Sequence, residues 1–135
     1  MIASNSHIAE AIRDIADEFH ITLAVLFGSH ATNIQHVNSD IDIALHGDAR
    51  IEPMNLAKLS ISLEKELRAK VDVLDIFAAS PTILQQVAQN GIPVYEREPA
   101  AFSAFRIYAR NVYIETKPLR DIRRKALERF THVAV

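Results

Sequence analysis

The run Ile21-Thr22-Leu23-Ala24-Val25-Leu26-Phe27 is apolar at six of its seven positions. It has the length of a strand but no polar face, so it requires cover on both sides. Helical patterns around it can supply that cover. Ile8, Ile12, Ile15 and Phe19 recur at helical spacing behind Asn5 and Ser6 as capping residues. Leu56, Leu59, Leu63 and Leu67 do the same behind a first-turn proline, Pro53. Further strand signals lie at residues 40–45 and 71–77. A short one follows at 93–96, placed at an edge because Pro93 cannot donate to a ladder. A turn is expected at His46-Gly47-Asp48, and Ser80-Pro81 should open a helix that Gly91 stops. These alternations predict an α/β (α+β) fold: a small mixed β-sheet with packed helices.

From Pro99 the pattern becomes purely helical. Phe102, Phe105, Ala109, Val112 and Thr116 make one stripe, Lys117-Pro118 interrupts it, and Leu119, Ile122, Ala126 and Phe130 make another. The expected organisation is one domain over residues 1–135, with a core at about 8–96 and a helical C-terminal extension at about 98–131.

A chain of 135 residues can bury one real core, and 49% hydrophobic with 24% charged residues is ordinary for a globular protein. Cysteine is absent, which excludes disulfides, thiolate zinc sites and a cysteine nucleophile. Net charge is −2 and the pI about 6.3, so no overall basic field attracts nucleic acid, and direct nucleic-acid binding is not expected. A mononucleotide stays compatible, because a bound metal brings its own positive charge. Residues 1–7 lack the basic and apolar regions of a signal peptide, and no apolar run approaches the ~20 residues that span a bilayer. A cytoplasmic protein with no membrane partner is therefore expected.

Chemistry concentrates where the first strand ends. Gly28 lets a ligand approach the main chain, Ser29 adds a hydroxyl, and backbone N–H groups opening a short helix at residues 30–34 would point at an anion. After the polar stretch 35–39, Asp40 and Asp42 stand in an otherwise apolar strand, Ile41, Ile43, Ala44 and Leu45. Alternate residues share a face, so the two acids point the same way, roughly 7 Å apart. Close carboxylates repel one another, and a divalent cation resolves the conflict. Asp72 and Asp75 on the third strand offer another acid, but their parity is opposite and only one can join that face. Asp72, flanked by valines near the strand start, is preferred.

The set Gly28-Ser29, Asp40, Asp42 and Val71-Asp72-Val73 resembles the DNA polymerase β-type nucleotidyltransferase superfamily. It is most similar to the minimal nucleotidyltransferases, the MntA-like antitoxins of HEPN toxin–antitoxin pairs, over roughly residues 8–96. The resemblance implies the nucleotidyltransferase fold and ATP as substrate. It implies that Gly28 and Ser29 cradle the triphosphate while Asp40, Asp42 and Asp72, the catalytic carboxylates, hold two magnesium ions. It further implies transfer of AMP to a tyrosine of a partner HEPN ribonuclease, bound as a hetero-oligomer. It also favours Asp72 over Asp75. Many relatives have a basic residue followed by glycine after the Gly-Ser pair, where this chain has Thr32-Asn33. A cationic phosphate contact is then either absent or supplied elsewhere, for instance by His30 or Lys58. Competing functions are a non-catalytic module that neutralises its partner by occlusion, and transfer to a small molecule or nucleic acid.

Other features speak less directly. Histidines 7, 20, 30, 36, 46 and 132 show no metal spacing and read as surface or capping residues, with His30 and His36 flanking the site. Phe102, Phe105, Tyr108 and Tyr113 have the helical spacing of core aromatics. Arg120, Arg123, Arg124, Lys125 and Arg129 read as a solvated helix face or a docking surface for an acidic partner or RNA.

Overall fold

The computed structural model describes residues 4–28 and 40–133. Ser29, His30, Thr32, Asn33 and His36, with the helix expected at 30–34 and the loop at 35–39, lie outside the described residues. In chain order the elements are α1 (Asn5–Ala16), β1 (Ile21–Phe27), β2 (Ile41–Gly47), α2 (Pro53–Leu67), β3 (Val71–Asp75), a 3-10 turn (Ile76–Ala78), α3 (Pro81–Asn90), β4 (Ile92–Glu96), α4 (Ala101–Glu115) and α5 (Lys117–Val133).

The strands form one mixed sheet in the order β3-β2-β1-β4. β1 runs antiparallel to both β2 and β4, whereas β2 and β3 are parallel. A parallel pair needs a crossover, and α2 provides it. β4, with Pro93, lies at an edge as its composition requires.

β1 is covered on both faces because the sheet separates two apolar clusters. On one side Ile8 and Ile12 of α1 and Leu59, Leu63 and Leu67 of α2 pack against Leu26, Ile41, Ile43 and Val71. On the other, Leu84 and Val87 of α3 and Phe105 and Ala109 of α4 pack against Leu23, Val25 and Ala44. The first half of the helical extension is thus part of the second cluster. α5 is different: none of its residues with described side chains is buried, and Leu119, Ile122, Leu127 and Phe130 are exposed.

Several local expectations need correction. Ser4, and neither Asn5 nor Ser6, caps α1, accepting a hydrogen bond from His7 N at 3.1 Å. β2 begins after Asp40 and continues to Gly47, so the strand ends two residues later than the His46-Gly47-Asp48 signal suggested. β3 stops at Asp75 because that side chain accepts from Phe77 N at 3.0 Å and draws the next residues into the 3-10 turn. Ser80 and Pro81 open α3, and Gly91 closes it. At Gly91 space matters more than backbone torsion: φ is −75°, but a Cβ would collide with Val87 O and Val25 Cγ1. Tyr108, expected in the core, is exposed.

Candidate functional site

β1 ends at Gly28, whose φ of +73° lies in the left-handed region that side chains disfavour. Phe27 pairs with Asp42 across the antiparallel ladder, which brings the glycine against that aspartate. A Cβ at Gly28 would collide with Asp42 Oδ2. Glycine is therefore required twice, by torsion and by the space the carboxylate occupies.

The parallel ladder sets Asp42 opposite Asp72, with Ile41 opposite Val71 and Ile43 opposite Val73. Neighbouring strands lie about 4.8 Å apart, so paired residues on one face are close neighbours. Ile41, Ile43 and Leu45 enter the α1–α2 cluster, and Ala44 enters the α3–α4 cluster. Asp42 and Asp72 share parity with Ala44 and Leu74, so both belong to the α3–α4 side of the sheet, and Asp40 immediately precedes β2. Asp72 is exposed, and Asp40 and Asp42 are half-buried.

Asp75 goes elsewhere. It is 2% exposed, accepting from Ile51 N at 2.9 Å through Oδ2 and from Phe77 N through Oδ1. Both oxygens are committed to holding main chain.

One neighbour was missed in the sequence. Ile41 N donates to Lys70 O at 2.9 Å, and Lys70 Nζ lies 3.8 Å from Asp40 Oδ2. Lys58 belongs to α2, on the helical layer that covers the opposite face. The parallel pairing of residues 41 and 71 was the signal that would have found Lys70.

Carboxylate oxygens suit a hard divalent cation. By donor type Asp40, Asp42 and Asp72 fit one, by face Asp42 and Asp72 do, and a shared cation would relieve the repulsion between facing acids. Among the described residues no three acidic or imidazole side chains already form a metal-holding group. Asp40 is instead drawn toward Lys70.

At the far end of β2, His46 stacks on Phe77 with ring centroids 4.6 Å apart, and its Nδ1 is buried without a hydrogen-bond partner. Burial pushes its pKa below the usual 6.5, against the opposing pull of Asp75 and Asp48. It is not the surface residue its spacing suggested.

The sequence profile of the polymerase beta nucleotidyltransferase family matches residues 10–100. Over 71 residues the chain is 37% identical to the protein adenylyltransferase MntA of Shewanella oneidensis. That stretch is 53% of this chain and 51% of the relative, so the match spans about half the length of that curated protein. A crystal structure of a toxin–antitoxin with AMP-PNP matches with a TM-score of 0.82 at 25% identity, covering 93% of this chain and 99% of the other. A structure of the tri-AMPylated Shewanella oneidensis HEPN toxin in complex with MNT antitoxin shares the fold, with a TM-score of 0.75 at 20% identity and 93% and 99% coverage. Among the described residues no helix is long and apolar enough to cross a membrane.

Proposed function

The chain belongs to the polymerase β nucleotidyltransferase family, and from that premise we propose that it transfers AMP from ATP to a partner protein in a magnesium-dependent reaction. The acceptor is a tyrosine hydroxyl of a HEPN ribonuclease toxin, and the protein acts in the cytoplasm as its antitoxin, as one unit over residues 1–135. The observation that carries this reading is the register of β2 and β3, which sets Asp42 opposite Asp72 beside Gly28. The similarity to a protein adenylyltransferase supports the reaction class. The match to a toxin–antitoxin with an ATP analogue supports the donor and the partner.

In this reading Gly28 admits the triphosphate to the main chain and Ser29 contributes a hydroxyl to it. Asp40, Asp42 and Asp72 hold two magnesium ions. Bound magnesium supplies charge neutralisation on the triphosphate and acidifies the incoming hydroxyl. The acceptor oxygen releases its proton to water and forms its bond to the α-phosphorus as the bond to pyrophosphate breaks. Positioning of the reacting groups by this rigid sheet end contributes the rest of the rate.

The test is incubation with α-labelled ATP, magnesium and the partner HEPN toxin. Label should appear on that protein, with intact-mass shifts of whole AMP units. Asp40→Asn and Asp42→Asn should each abolish labelling by raising the barrier several kcal/mol, while leaving the far-ultraviolet dichroism unchanged. Near-normal turnover in both variants would defeat the assignment. The exposed α5 gives occlusion a specific footing as a second reading; it wins if Asp42→Asn neutralises the toxin at equal dose.

A further inference from the structure

α5 is a 17-residue helix, and among elements of the described chain only α4 packs appreciably against it. A lone helix of that length is marginal in water, yet this one is anchored at a defined joint. The Arg120 guanidinium lies 3.7 Å from the Tyr113 ring centroid, and it donates to Tyr113 O at 2.8 Å and to Thr116 Oγ1 at 2.6 Å. α5 is thus held out from the body rather than folded against it.

What it holds out is patterned. Leu119, Ile122, Ala126 and Phe130 recur at three- and four-residue steps and form one stripe, with Leu127 beside it. Leu119 is 68% and Phe130 72% exposed. At 3.6 residues per turn Arg123 and Arg129 border that stripe. The acids Asp121 and Glu128 fall on the far side, against Lys117 and Arg124. Among the described residues Arg123 and Arg129 make no ion pair. Charge is divided along the chain in the same sense. Residues 101–133 carry eight Lys or Arg against three Asp or Glu, while residues 1–100 carry seven against fourteen.

We infer that α5 is a docking helix that lays Leu119, Ile122, Ala126 and Phe130 into an apolar groove rimmed by acids on the partner protein, with Arg123 and Arg129 closing over the rim. This rests on the partner assignment above and adds the surface by which the partner is held. An apolar stripe with guanidinium borders is the composition of a protein-binding helix. Phosphate recognition by RNA needs no such stripe. The chain's own body is a poor receiver. Its exposed large apolar residues, Met54, Ile61, Phe77, Ile83, Ile107, Tyr108 and Ile114, are spread over α2, the 3-10 turn, α3 and α4, and the cavity beside Ile107 is lined by Arg106 and Arg110 and by no acid. Its apolar cavity of about 450 Å³, between Leu23, Ile76, Phe77 and Tyr108, is lined by no acid.

The test uses the full chain and the partner HEPN toxin. Affinity is measured by calorimetry for the native sequence, Arg123→Glu/Arg129→Glu and Ile122→Ala/Phe130→Ala. No substituted side chain is buried, so all three proteins should melt alike. Each double variant should bind at least tenfold more weakly, and added salt should weaken the native complex more than the charge-reversed one. Native-like affinity in both variants, with the native protein binding, overturns the docking surface and leaves the partner assignment standing. A native protein that does not bind at all overturns both. Sedimentation showing a self-dimer that the Ile122→Ala/Phe130→Ala variant loses, or RNA retention that Arg123→Glu/Arg129→Glu alone abolishes while the partner still binds, also overturns it.

Discussion

Replacing Asp75 separates a fold-holding carboxylate from those facing the sheet's open end. At 2% exposure, Asp75 serves two main-chain donors, Ile51 N at 2.9 Å and Phe77 N at 3.0 Å. A hydrogen bond to a charged acceptor contributes about 1.5–3 kcal/mol, and a stranded buried donor costs a similar amount. The Ile51 bond is buried, whereas the Phe77 bond is only partly so and water can replace some of it. Asp75→Ala should therefore destabilise by about 3 kcal/mol. Asp75→Asn can keep its oxygen on Ile51 and sheds a buried charge, so about 1 kcal/mol is expected. Asp72→Asn, at an exposed position, should change stability by less than about 0.5 kcal/mol. Urea unfolding of the three variants measures this, read as midpoint shifts at constant slope. An Asp75→Ala cost below about 1 kcal/mol, or a larger cost at Asp72, would refute the division of roles between the two acids.

Two further perturbations test other parts of the molecule. Gly28→Ala should cost about 1–2 kcal/mol from its positive φ and also displace the Asp42 carboxylate; loss of AMP transfer well beyond the loss of folded protein, measured on the same sample, is the expected result. His46 has its pKa lowered by burial in the folded state, so the unfolded chain binds the proton more readily and stability is full above the unfolded value near 6.5. It should fall as pH drops from there through the folded value, and His46→Phe should flatten that slope in urea midpoints taken from pH 8 to pH 5.

The apolar runs and their parity made much of this architecture legible. A run with no polar face needed cover on both sides, and β1 has helices on both faces. Parity put Asp72 and Asp75 on opposite faces, position near the strand start favoured Asp72, and the ladder pairs Asp42 with Asp72. Side-chain bonds to distant main chain were not legible. Asp75 meets Ile51 across 24 positions, and no local pattern encodes that contact. His46 and Tyr108 were misplaced for a related reason. Each lies where cover from the 3-10 turn and α4 begins or ends, which period alone does not locate. Lys70 became meaningful only once the parallel register was known.

The crossover through α2 has a temporal consequence. Asp42 and Asp72 become neighbours only once the parallel pair has closed across α2. Such non-local pairing must await closure of a long loop and is intrinsically slow. On a growing chain, Gly28 and Asp42 can meet within one hairpin, yet the third carboxylate arrives last. Any catalytic competence of these acids is then a property of the finished sheet.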